Sequence, residues 1–199
     1  MRQVLPPFAV AAAFLLAASA SAFADDTVTF VPWKVLKDGD APLRTSFVLV
    51  WIPASGDDFK RSELQVSRPL ALLKSQCIGL QVIRSDDWLM IEKLDARGKL
   101  PLALMVAGAD WQIMAKSDND HGALRAADVE TMVRDVLGKH EEWLVKQLDV
   151  ARERLDGGDR ENAVALYLLI AKQRCAFPRC AREASRALKR LGVVEGDDD

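Results

Sequence analysis

Apolar positions along this chain fall into two regimes. From residue 28 to about residue 117 they come in short runs of strand length, separated by polar turn clusters. Beyond Asp128 they recur at helical spacing almost to the end. Val28 to Leu36 is rich in β-branched and aromatic residues and reads as a strand. Pro32 breaks its alternation and cannot donate to a ladder, which places this strand at an edge or a bulge. Lys37-Asp-Gly-Asp-Ala-Pro42 is a turn cluster. Phe47 to Ile52 is continuously apolar, the pattern of a strand covered on both faces. A helix start follows, with Asp57 or Asp58 as the cap. A second helix begins at Pro69 behind a Ser67 cap and carries Leu70 and Leu73 toward Cys77.

Gly79 to Ile83 is the next strand, with Cys77 near its start as a small buried hydrophobe. Trp88 to Asp95 reads as a short helix stopped by Arg97-Gly98. Leu100 to Val106 and Trp111 to Ala115 flank a glycine-containing turn, the signature of an antiparallel hairpin. Val129, Met132, Val133, Val136, Leu137, Leu144, Leu148, Ala151 and Leu155 then form one sustained apolar stripe, ended by Asp156-Gly-Gly-Asp159. Two further helices follow, one through Ala163, Leu166, Tyr167 and Ile170, the other through Ala181, Ala184, Leu188 and Leu191. Between them lies the break Cys175-Ala-Phe-Pro-Arg-Cys180.

The first 24 residues have the make-up of a cleavable export signal: Arg2, an apolar run from Phe8 to Ala20, and Ala22-Phe23-Ala24 as a small-x-small site. The expected mature chain is periplasmic or secreted and holds no membrane span. Losing Arg2 leaves it one unit more negative than the −2 of the whole chain. That balance offers no electrostatic reason for binding nucleic acid.

Three cysteines in an oxidising compartment point to one disulfide and one spare thiol. The expected pair is Cys175 with Cys180, bridging the break at Pro178 and fixing two helices at an angle. Other constellations carry little chemistry. His121 and His140 lack partners at zinc spacing. Asp118, Asp120 and Gly122 sketch half a calcium loop, but Val129 stands where the closing glutamate belongs. Arg174, Arg179, Arg182, Arg186, Lys189 and Arg190 make a basic face without aromatics, the look of a solvated helix surface. No cofactor or metal is implied.

The segment Phe47-Val-Leu-Val-Trp-Ile-Pro-Ala-Ser-Gly-Asp-Asp-Phe-Lys60 resembles the active-site segment of the thioredoxin family, a strand entering a Trp and a Cys-Gly-Pro-Cys turn at a helix start. Trp51 and Gly56 match, while Ser55 and Asp58 stand where the two redox cysteines belong. Gly98-Lys-Leu-Pro-Leu-Ala-Leu-Met-Val106 is similar to the family segment in which a cis-proline opens the strand facing that turn. The resemblance implies an α/β fold with a central mixed sheet flanked by helices over residues 25–137, and a cis Pro101 beside the turn. A helical extension covers 138–194 and an acidic tail 195–199. Gly158 to Tyr167 is similar to a tetratricopeptide hairpin in its Gly-Asp-x-x-x-Ala-x-x-x-Tyr spacing.

A hydroxyl cannot replace a thiolate in disulfide exchange. The reading that follows is a non-catalytic module for exported proteins or peptides. The groove that the resemblance implies is formed by Trp51, Pro53, Ser55, Gly56, Asp57, Asp58 and Pro101. Two alternatives stay open: an oxidoreductase using Cys175 and Cys180, and a structural envelope protein that dimerises through its helical tail.

Overall fold

The computed structural model describes residues 30–37, 45–108, 111–117 and 123–193. The export signal, the acidic tail, His121 and the half calcium loop lie outside these residues. In chain order the elements are β1 Lys34–Val35, β2 Phe47–Ile52, α1 Gly56–Arg61, α2 Arg68–Leu72, β3 Gly79–Val82, α3 Trp88–Lys93, β4 Leu102–Ala107, β5 Gln112–Ser117, α4 Ala126–Asp156, α5 Arg160–Ala171 and α6 Pro178–Arg190. Two 3-10 turns, Glu63–Gln65 and Leu73–Gln76, flank α2.

The five strands form one mixed sheet in the order β1-β3-β2-β4-β5. β1, β3 and β2 run parallel, and β4 and β5 complete the sheet antiparallel. β2 is central and every one of its residues is buried, as its unbroken apolar run requires. Its alternate side chains feed two cores. Leu49 and Trp51 join Leu80, Met105, Val129 and Val133 on the face covered by α2 and α4. Val48, Val50 and Ile52 join Leu104, Ile91 and Leu94 on the face covered by α3.

The expected strand from Val28 is reduced to Lys34–Val35, with Val28 itself outside the described residues. Its approach is diverted before it can pair. The Val31 amide donates to the Gln65 carbonyl (2.8 Å), and the Trp33 indole N–H donates to the Leu64 carbonyl (3.0 Å). These bonds tie the segment to the 3-10 turn rather than to a strand, and Pro32 between them offers no donor.

The hairpin β4–β5 holds a bulge. Met105 pairs with Ala115 and Val106 with Ile113, so Met114 is the extra residue. The bulge reverses the alternation: Ile113 packs toward the α3 core, whereas Ala115 packs toward the α4 core. Met114 is left 41% exposed on the sheet edge.

α4 runs without interruption for 31 residues across the expected boundary at 137/138. Its first half lays Val129, Val133 and Val136 on the sheet, and its second half buries Leu144, Leu148 and Ala151 against α5 and α6. Gly192 closes α6 with φ of +71°, and its amide and that of Val193 donate to the Lys189 and Leu188 carbonyls. The protein is thus a mixed α/β structure, a five-stranded sheet flanked by helices with further helices at its C-terminal side. Among the described residues no helix is long and apolar enough to cross a membrane.

Candidate functional site

β2 delivers the chain to a sharp exit at the carboxyl end of the parallel strands. The cap of α1 is Ser55, not Asp57 or Asp58: the Ser55 Oγ accepts from the Asp58 amide at 3.1 Å. Asp58 answers by accepting the Ala54 amide at 2.8 Å. This reciprocal pair satisfies two donors that the helix start would leave open, and it commits both side chains to structure. Ser55, Gly56 and Asp57 are exposed, and Asp58 is half-buried.

Trp51 does not reach the surface. It is 0% exposed, stacked on Phe59 (5.1 Å between ring centres) and tilted against Trp33 (5.4 Å). Its place in the strand decides this, because odd-numbered β2 residues point into the α4 core. The expected contact role of Trp51 is therefore replaced by a core role.

The Leu100–Pro101 peptide is cis. Ile52 pairs with Leu102, so Pro53 and Pro101 lie opposite each other one step beyond the last rung. Both prolines are buried.

A cavity of about 270 Å³ opens on the β3 side of this turn. Val35, Pro53, Phe59 and Val82 make its apolar floor, and Ser55, Gly56, Arg84, Ser85 and Asp86 its rim. Trp51, Asp57, Asp58 and Pro101 do not line it. The expected groove therefore divides at Pro53, with only Pro53, Ser55 and Gly56 facing the cavity. Arg84 grips Asp86 through Nε (2.9 Å) and Nη2. Beyond this pair a second, open cleft runs on to Trp88 and Leu89, which are 63% and 61% exposed. Sequence reasoning missed these two residues. The signal was the Asp87 cap, which sets Trp88 and Leu89 in the first turn of a helix too short to bury more than Ile91.

The cysteines pair differently from the expectation. Cys77 is bonded to Cys175 with Cα atoms 5.7 Å apart, and Cys180 is free and buried. Cys77 is not a buried strand residue. It ends the second 3-10 turn in the left-handed region (φ 55°) and is exposed, as is Cys175. Cys180 sits in the first turn of α6, packed inward with Ala181 and Ala184. Burial pushes its thiol above the usual range, chiefly by desolvation. A redox couple of Cys175 with Cys180 is therefore not formed.

A separate groove of about 530 Å³ lies between the edge strand β5 and α4, lined by Met114, Met132, His140 and Trp143 among others. His140 sits among Phe47, Phe177 and Trp143, with ring centres 4.9, 5.0 and 5.3 Å away. Burial lowers its pKa, and its Nε2 has no hydrogen-bond partner.

No side chain at the turn is poised as a nucleophile beside a base. Among the described residues no group of three His, Cys, Asp or Glu is placed to hold a metal ion. What the turn offers is an apolar recess with a polar rim, a geometry for binding. The class this defines is a mixed α/β protein with a surface recess at the carboxyl ends of its parallel strands. No protein-family model matches the chain, and no curated protein is significantly similar to it.

Proposed function

We propose that the chain is an exported, thioredoxin-like protein that has no dithiol and serves as a non-catalytic module binding other exported proteins or peptides. Three features support the thioredoxin-like reading. The strand order is β1-β3-β2-β4-β5 with two parallel and two antiparallel pairings, the cis Leu100–Pro101 peptide faces the β2–α1 turn, and that turn starts a helix. Serine and aspartate stand at the two positions that would carry thiols, and both are occupied in capping.

The observation that carries the binding role is the recess over Val35, Pro53, Phe59 and Val82, continuous at Arg84 and Asp86 with the exposed Trp88–Leu89 cleft. An apolar side chain of a bound segment fills the recess, and its backbone passes over the polar rim toward Trp88. Since Trp51 lies in the core, Gly56 is the better probe. A Cβ built there meets nothing within 4 Å, so Gly56→Trp blocks the mouth without crowding the fold. Peptides selected from a displayed library on the wild-type chain are expected to lose about tenfold or more in affinity for Gly56→Trp, about 1.4 kcal/mol, at unchanged melting temperature. Selected peptides that bind both proteins equally would remove the recess from the proposal.

A further inference from the structure

Helix α6 separates its residues into two arcs. At about 100° per residue, Cys180, Ala181, Ala184, Ala187 and Leu188 fall on one side, and all five are buried. Arg179, Arg182, Arg186, Lys189 and Arg190 fall within about a third of the circumference opposite, and all five are exposed. The only acid of the helix, Glu183, lies at the margin of this basic face and is paired with Arg152 of α4, which also holds Asp149. Among the described residues none of the five cations forms an ion pair, and five cations against one acid leave this face positive.

We propose that this outward face of α6 is a docking surface for an extended, carboxylate-rich segment of a partner protein. Four of the five cations are arginines, whose planar fork fits a carboxylate with two parallel hydrogen bonds. Arg182, Arg186 and Arg190 recur every four residues, about 6 Å apart along the axis. Side chains on one face of an extended peptide recur at about 6.6 Å. Alternate acidic residues of such a segment therefore meet successive arginines over the length of the helix. α6 has no aromatic residue to stack on bases, and its outer arc has no large apolar side chain to enter a bilayer. The surface lies on the helical side of the molecule and is independent of the recess beside Ser55.

The probe is a fluorescent octaglutamate peptide titrated with the full chain at low salt, read by anisotropy. We expect saturable binding that weakens about tenfold when sodium chloride rises from about 50 to about 200 mM, as exposed ion pairs are screened. Arg182→Glu/Arg186→Glu is expected to weaken binding at least about tenfold with an unchanged circular dichroism spectrum, since both side chains are exposed. The matched reversal Lys60→Glu/Arg61→Glu on α1 is expected to leave it unchanged. Because Glu195, Asp197, Asp198 and Asp199 follow the helix in the chain and are themselves carboxylate-rich, the titration is repeated on a chain ended at Val193. Absence of binding in both chains overturns the proposal, as does equal weakening by the α1 reversal. Tighter binding to phosphatidylglycerol vesicles or to oligothymidylate than to the peptide likewise overturns it, because the partner is then a lipid surface or a nucleic acid.

Discussion

Cys77 and Cys175, 98 residues apart, are joined by a disulfide that ties the 3-10 turn before β3 to the loop between α5 and α6. The bond closes the chain from β3 through α5 into one covalent loop. It works alongside Phe177, which packs edge-on against Phe47 of the central strand with ring centres 5.9 Å apart.

Closing so long a loop limits the unfolded chain far more than a bridge between Cys175 and Cys180 would. Cys77→Ser/Cys175→Ser should therefore lose about 2–5 kcal/mol in guanidinium unfolding. Alkylation of the native, unreduced protein followed by peptide mapping should label neither Cys77 nor Cys175. The buried, high-pKa Cys180 should react only after denaturation. Labelling of Cys77 in the native protein would show the pairing to be wrong.

His140 makes stability depend on pH in a defined direction. Burial lowers its folded pKa below the unfolded value near 6.5. The unfolded chain then takes up the proton first, so stability present above about pH 6.5 declines as pH falls toward the folded pKa. Urea midpoints of the wild type should drop between about pH 7 and pH 5 more than those of His140→Phe. Parallel curves would dismiss the His140 contribution.

Trp51 is a core residue despite its place beside the turn. Trp51→Ala should cost about 3–5 kcal/mol by urea unfolding, because it empties the space between Trp33 and Phe59. An exposed Trp51 would instead give a change below about 0.5 kcal/mol.

Ser55→Ala removes the acceptor for the Asp58 amide and should cost about 1 kcal/mol. Ser55→Cys restores no redox couple, since Asp58 offers no second thiol. Its turnover in an insulin reduction assay should equal that of the wild type.

The elements whose local pattern has one solution were legible. The unbroken run Phe47–Ile52 is the central strand, and the stripe from Val129 to Ala151 is a single helix. The Ser67 cap is also where expected, its Oγ accepting the Leu70 amide at 3.1 Å. Ser67 further donates to Glu130 of α4 at 2.7 Å, a partner 63 residues away that spacing cannot reveal. The strand expected from Val28 shrank to two residues because Val31 and Trp33 found partners on the 3-10 turn. Of the candidate groove, Pro53, Ser55 and Gly56 face one recess, and Trp51 turned inward.

Local sequence thus determined the order of strands and helices, the helix starts at Ser67 and Asp87, and the stop at Gly157, since each depends on neighbours within a few residues, whereas α3 ends at Lys93, before the expected Asp95 and Gly98. Only the tertiary structure decided the three long-range matters. It selected Cys77 over Cys180 as the partner of Cys175, sent Trp51 into the core, and brought Arg84 and Asp86 beside the β2–α1 turn. The physical reason is common to all three. Burial and pairing depend on which surfaces meet when the sheet and helices pack, and residues far apart in the chain supply those surfaces.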